Sequence, residues 1–154
     1  MQIRAAETED RDDIARMWHL GWHQAHAAIV DPDLVDLRDP AEFAARTQAH
    51  LPQTRVAIAP DGALAGFFMV EGDELYQFYV ASARHGDGTA RTLMTAAEAA
   101  FEVPCAWLAC TVGNARAAAF YAKCGWRNCG AEPCAVETGA GPRTVEVWRF
   151  EKTL

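Results

Sequence analysis

Apolar side chains recur every three or four positions early in the chain, at Ile14, Met17, Trp18, Gly21, Trp22 and Ala25. That spacing lays one stripe along a helix, and Thr8 or Asp10 stands ready to cap its start. Ahead of it, "QIRAA" reads as a short edge strand. Behind it, "VDPDLVDLRDP" brings two prolines and four aspartates and breaks the helix. A second helix is predicted from Ala41 to about His50, ended by Pro52. The period then drops to two. "RVAIA", "ALAGFFMV" and "ELYQFYV", separated by the turns "PDG" and "EGD", form an antiparallel meander.

The pattern changes again in "SARHGDGTARTLM", residues 82–94, where two glycines in a polar turn run straight into a helical stripe of Ala90, Leu93, Met94, Ala97 and Phe101. Pro104 closes that connection and "AWLACTV" alternates as a strand. "GN" leads into a third stripe, Ala117, Phe120, Tyr121 and Cys124, with Gly125 placed as a left-handed cap. Two last strands, near Arg127–Glu137 and Thr144–Glu151, flank the turn "GAGP". Strand, glycine turn, helix and strand make a crossover, so the strands it joins are parallel. The expectation is one α/β domain over residues 1–154, a mixed sheet of about six to seven strands flanked by about four helices.

Composition narrows the function. The 154 residues carry 21 acids against 14 Lys and Arg, a formal charge of −7, which argues against non-specific binding to nucleic acid. No apolar run is long enough to span a membrane, and "MQIRAAETEDRDD" is too charged for a signal peptide. The five cysteines form an odd set without C-x-x-C pairs, as expected of reduced thiols in the cytoplasm.

The glycine turn carries the chemistry. It follows a strand and opens a helix, so its free N–H groups and the positive end of the helix dipole make an anion site. Gly86 and Gly88 let the main chain approach a bulky phosphate. Gly88 is followed by Thr89 and Ala90, not by the G-K-[ST] of a P-loop. "GDGTAR" ends in Arg91, which excludes a dinucleotide fingerprint.

The runs "ELYQFYVASARHGDGTARTLMTAAEAAF" and "LACTVGNARAAAFYAKCGW" resemble the GNAT superfamily of acyl-CoA-dependent N-acetyltransferases. His85, Gly88 and Ala90 stand in the places of its Q/R-x-x-G-x-G/A motif. Asn114, Ala117, Phe120, Tyr121, Gly125 and Trp126 match its second motif. The resemblance implies a GNAT fold and acetyl-CoA as cosubstrate. Its pyrophosphate would lie on residues His85, Gly86, Asp87, Gly88, Thr89, Ala90 and Arg91, and its pantetheine arm along Phe78, Tyr79 and Val80. In the same reading Phe78 donates an N–H to the thioester carbonyl, Asn114 braces the arm and Lys123 adds charge. Tyr121 becomes the general acid and Glu74 the base, with Glu71 and Asp73 as competitors. Two departures stand out: His85 replaces Gln or Arg, and Asp87 puts an acid beside the pyrophosphate.

The acceptor is written less clearly. Trp22 and His26 are expected as walls of its pocket, and Asp31, Asp33, Asp36 and Asp39, faced only by Arg38, as a loop that attracts a small cationic amine. A protein N-terminus or lysine remains an alternative acceptor, and a non-catalytic acyl-CoA-binding module an alternative class. A homodimer also stays open. His19, His23 and His26 share a helical face, but Leu20 stands where H-E-x-x-H has its glutamate, and no metal is implied. Cys110, in mid-strand, reads as a small core residue, not a nucleophile.

Overall fold

A computed structural model describes residues 1–154. Seven strands form one mixed sheet in the order β1-β2-β3-β4-β5-β7-β6. The first four are β1 (Gln2–Ala5), β2 (Thr54–Ile58), β3 (Leu64–Glu71) and β4 (Glu74–Val80), paired antiparallel with one another in that order. β5 (Cys105–Thr111) runs parallel to β4, and the hairpin β6 (Arg127–Val136) and β7 (Arg143–Thr153) joins it through β7. The helices are α1 (Arg11–His26), α2 (Pro32–Leu37), α3 (Pro40–His50), α4 (Thr89–Ala99) and α5 (Ala115–Lys123). There are thus five α-helices where about four were expected. The extra one is α2, inside the segment read as a helix break. Its prolines do stop α1, but Pro32 also occupies the first turn of a new helix, where its missing N–H costs nothing, and Leu34 buries its inner side.

Strand alternation divides the core between two faces. Phe67 and Met69 turn to α1 and α3, where they meet Ile14, Trp18, Phe43 and Val56. Phe68, between them, turns to α4 and packs with Leu93, Met94 and Ala97, beside Leu108, Trp126 and Phe150. Trp18 and Phe43 are wholly buried, so truncating either to alanine is expected to cost about 3–5 kcal/mol. Gly21 sits in the middle of α1, where glycine is unfavourable by about 1 kcal/mol relative to alanine. A Cβ there would lie 2.6 Å from the Tyr79 ring, so its absence lets α1 settle on β4.

Candidate active site

The parallel half opens in the middle of the sheet. β4 and β5 pair at a single register, Glu74 opposite Trp107. There Trp107 donates its main-chain N–H to the Asp73 carbonyl at 2.9 Å and its indole N–H to the Asp73 carboxylate at 3.0 Å. Beyond that staple the strands part. Ala81 donates to Ala65 of β3 at 2.9 Å, and alternate residues of a strand address the same neighbour. Tyr79 and Gln77 therefore also turn their peptide groups to β3. Phe78 and Val80 turn theirs to the β5 side, where no strand pairs with them. An open strand edge inside a sheet is a template for an extended ligand.

The predicted anion turn lies at the end of the same strand. Gly86 and Gly88 both hold left-handed conformations, φ 83° and 91°, and Gly88 is the residue that precedes α4. Asp87 is exposed on this loop and bonds within it. Its carboxylate accepts the Thr89 N–H at 2.9 Å and lies 3.7 Å from Arg84, and these partners hold it below the usual carboxylate range, Thr89 foremost. His85 is exposed and receives an N–H from Arg116 on Nδ1 at 2.8 Å, so Arg116 stands at the loop. Arg91 donates to the Lys123 carbonyl at 3.4 Å, tying α4 to the end of α5, while the Lys123 side chain is exposed. Asn114 caps α5, accepting the Ala117 N–H at 3.3 Å.

Tyr121 projects from α5 beside Phe150, with ring centres 5.7 Å apart. Its hydroxyl bonds to no protein group and is not sealed from solvent. Burial pushes the phenol well above its ordinary range, with Cys110, Tyr79 and Cys124 acting in the same direction, so it holds its proton firmly. Phe120, its neighbour, stacks on Phe78 at 5.8 Å and links α5 to the open edge of β4. Burial also pushes the Cys110 thiol up to about 11, which disfavours a nucleophilic thiolate.

The other face carries Glu74. Met69 pairs with Gln77 and Val70 with Leu75, leaving Tyr76 as an extra residue in a β-bulge. Leu75 faces α4, so Glu74 and Tyr76 on either side of it turn to the α1–α3 face. Partial burial, Glu71 and Asp73 together raise Glu74 to about 7, opposed by Arg149. Nearby, Tyr76 donates its hydroxyl proton to the Glu137 carboxylate, and His50 lies between that carboxylate and Glu71. His50, Arg46, Tyr76 and Glu137 were missed by sequence reasoning. Arg46 left one trace, a charge three residues after Phe43 on the buried side of α3.

The structure sets the expected acceptor walls, Trp22 and His26, largely inside the fold. Trp22 is 7% exposed and belongs to the core, with the Arg38 guanidinium 5.6 Å from its ring centre. That cation comes from the chain itself. His26 packs on Trp22 and donates its Nδ1–H to the Trp22 carbonyl at 2.9 Å, while burial lowers its pKa and favours the neutral ring. The aspartates do not form a loop around Arg38. Asp31 precedes α2, Asp39 caps α3 by accepting the Glu42 N–H at 2.9 Å, and Arg38 is buried against Glu42. His23 is engaged at the Arg38 carbonyl, 2.6 Å away.

A seven-stranded mixed sheet parted between β4 and β5, with a glycine turn at the mouth of the parting, defines an acyltransferase architecture. A sequence model of the acetyltransferase (GNAT) family matches residues 14–126, and the chain belongs to that family of acetyl-CoA-dependent N-acetyltransferases. Among solved structures, a GCN5-related N-acetyltransferase from Rhodopseudomonas palustris is similar at TM-score 0.75 and 23% identity, over 99% of this chain and 95% of that one. The paia N-acetyltransferase of Thermoplasma acidophilum, solved with coenzyme A, aligns at 0.67 and 19%, over 99% and 98%. A ribosomal-protein-alanine N-acetyltransferase from Brucella melitensis aligns at 0.68 and 19%, over the full length of both chains. At these identities the likeness is one of fold. No curated protein matches the chain by sequence. No helix is long and apolar enough to cross a membrane.

Proposed function

We propose that the protein transfers the acetyl group of acetyl-CoA directly to the primary amine of a small molecule, with Tyr121 as general acid and Glu74 as base. The observation that carries this reading is the open β4 edge at Phe78 and Val80, which runs on into the glycine turn and packs through Phe78 on Phe120, next to Tyr121. The residues present fit coenzyme A: unpaired peptide groups for an extended amide-bearing arm, and left-handed glycines with free N–H groups for phosphates. Bound there, acetyl-CoA would supply the activated acyl group.

Transfer forms an N–C bond at the amine and breaks the C–S bond of the thioester. Glu74, raised to about 7, is suited to take a proton from the amine, directly or through water. The Phe78 N–H is turned into the opening, where it can stabilise the oxyanion that develops on the carbonyl. Tyr121 keeps its proton at neutral pH and can deliver it to the departing sulfur.

A small acceptor is favoured over a peptide by the β6–β7 turn. Glu137, at its start, is tied through its carbonyl to Arg38 at 2.6 Å and through its carboxylate to Arg46, Tyr76 and His50. These contacts tie the turn to α3, and the groove left beside them, about 610 Å³, suits a small molecule better than a peptide. Tyr121→Phe tests the chemistry, because it keeps the ring and its packing. Turnover of acetyl-CoA with an amine panel is expected to fall about ten- to a thousandfold in kcat with acetyl-CoA affinity unchanged. Undiminished turnover in the variant would remove Tyr121 from the mechanism, and binding without turnover in the parent protein would leave an acyl-CoA-binding module.

A further inference from the structure

Two arginines are buried on the α1–α3 side of the sheet, and both keep donors that nothing in the chain satisfies. Arg38 is 2% exposed and Arg46 8%. Arg38 gives Nη1 to the Glu42 carboxylate and the Glu137 carbonyl, but its Nε has no partner. Arg46 donates Nη2 to the Tyr76 hydroxyl at 3.0 Å and reaches Glu137 from Nε only at 3.4 Å, while its Nη1 has no partner. Buried polar groups are normally satisfied, and an unpaired N–H on a buried guanidinium is among the costlier exceptions. A guanidinium fork matches a carboxylate in shape and charge.

This donor set already receives one carboxylate. Tyr76, His50 and Arg46 converge on a single oxygen of Glu137, whose side chain is 51% exposed and reaches in from the β6–β7 turn. A groove of about 610 Å³ opens beside it, walled by Arg46 and Glu137 together with Asp36, Asp39 and Glu42. Of these acids, Glu42 is paired with Arg38 and Asp39 is engaged as a helix cap, which leaves Asp36 free of any partner. A simple anion would be repelled by such a wall, and a simple cation would meet the arginines. A molecule that carries both charges suits both. Glu74 lies two residues from Tyr76 on the same face of β4, about 7 Å along the strand, within the span of one short molecule.

We propose that the acceptor is a small amino acid, its carboxylate held by Arg46 on the groove wall and its amine directed to Glu74. The inference rests on the acetyl-transfer reading for the amine end, but the carboxylate site can be tested apart from it. The probes are glycine, β-alanine and the common L-amino acids, each compared with its carboxamide and its decarboxylated amine. Binding is followed by saturation-transfer NMR in the presence of coenzyme A, and turnover by thiol release from acetyl-CoA.

For at least one probe the free acid is expected to bind and react, with amide and amine about ten- to a hundredfold poorer in kcat/KM. Arg46→Met should erase that preference, and Arg46→Lys, which keeps the charge but not the fork, should retain part of it. Melting followed by circular dichroism checks that the variants fold, and the acid–amide comparison on the unaltered protein needs no variant. Acid-selective binding that Arg46→Met abolishes, without turnover in the parent, supports the carboxylate site and sinks the transfer reading instead. Amides or plain amines that bind as well as the acids, or no binding by any acid, would overturn the proposal.

Discussion

At Glu74 a single residue couples pH to both chemistry and stability. Its ordinary value near 4.5 is lifted to about 7, chiefly by burial, with Glu71 and Asp73 adding to the shift. With a saturating amine, kcat is expected to rise with pH through about 7 in the parent protein, and Glu74→Gln should be slow and lose that limb. The same shift has an opposite sign for folding. Because the folded state binds the proton more tightly than the unfolded chain, the penalty is absent below about 4.5, develops between there and 7, and is complete above. Glu74→Gln should therefore melt higher than the parent at pH 8, with the difference vanishing near pH 4. A flat kcat profile combined with equal melting at both pH values would mean that Glu74 titrates as an ordinary surface acid.

Among the elements, the turn into α4 holds an internal competitor for its own ligand. The Thr89 N–H belongs to the first turn of α4, and Asp87 already engages it at 2.9 Å. An entering phosphate would face that charge and vie for that donor. Asp87→Asn keeps an oxygen for the cap and removes the charge, so acetyl-CoA should bind about three- to tenfold tighter, and the gain should shrink with added salt. Gly88→Val should act in the opposite direction. A Cβ there meets no atom within 4 Å, but φ is 91°, so the turn must rearrange whatever space is free. Calorimetry on both variants gives the two signs. Weaker binding by Asp87→Asn would show that the carboxylate shapes the turn more than it blocks it.

At the scale of the whole molecule, the sheet is two units that touch at one rung. β4 belongs to the antiparallel meander through its pairing with β3, and β5 to the C-terminal hairpin through β7. Only the Glu74–Trp107 register joins them, and the site lies in the resulting opening. Amide exchange should expose this. In the free protein the Tyr79 amide, turned to β3, should exchange slowly, while those of Phe78 and Val80 exchange fast. Acetyl-CoA should slow the latter pair selectively. Equal protection of all three residues before the ligand is added would mean that β4 and β5 are zipped in solution.

What the sequence by itself determined is local. Local pattern and turn signals marked every strand and four of the five helices, and where a face is buried it repeats at the period of the element that carries it. "GDG" ahead of an apolar stripe marked the phosphate turn, and Gly86 and Gly88 do hold left-handed conformations. The α2 helix escaped because its Pro and Asp serve a helix start as readily as a break. The tertiary structure alone decided where β4 and β5 part, since peptide pairing leaves no trace in side-chain pattern. It also decided that Arg38 and Trp22 face each other inside the fold, so that a cation of the chain itself lies over the ring. The cluster of Arg46, Tyr76 and Glu137 draws on a helix, a bulged strand and a hairpin turn, with partners 30 to 91 positions apart. No period or spacing links such residues, and only the packing of α3 and the β6–β7 turn over β4 brings their charges together.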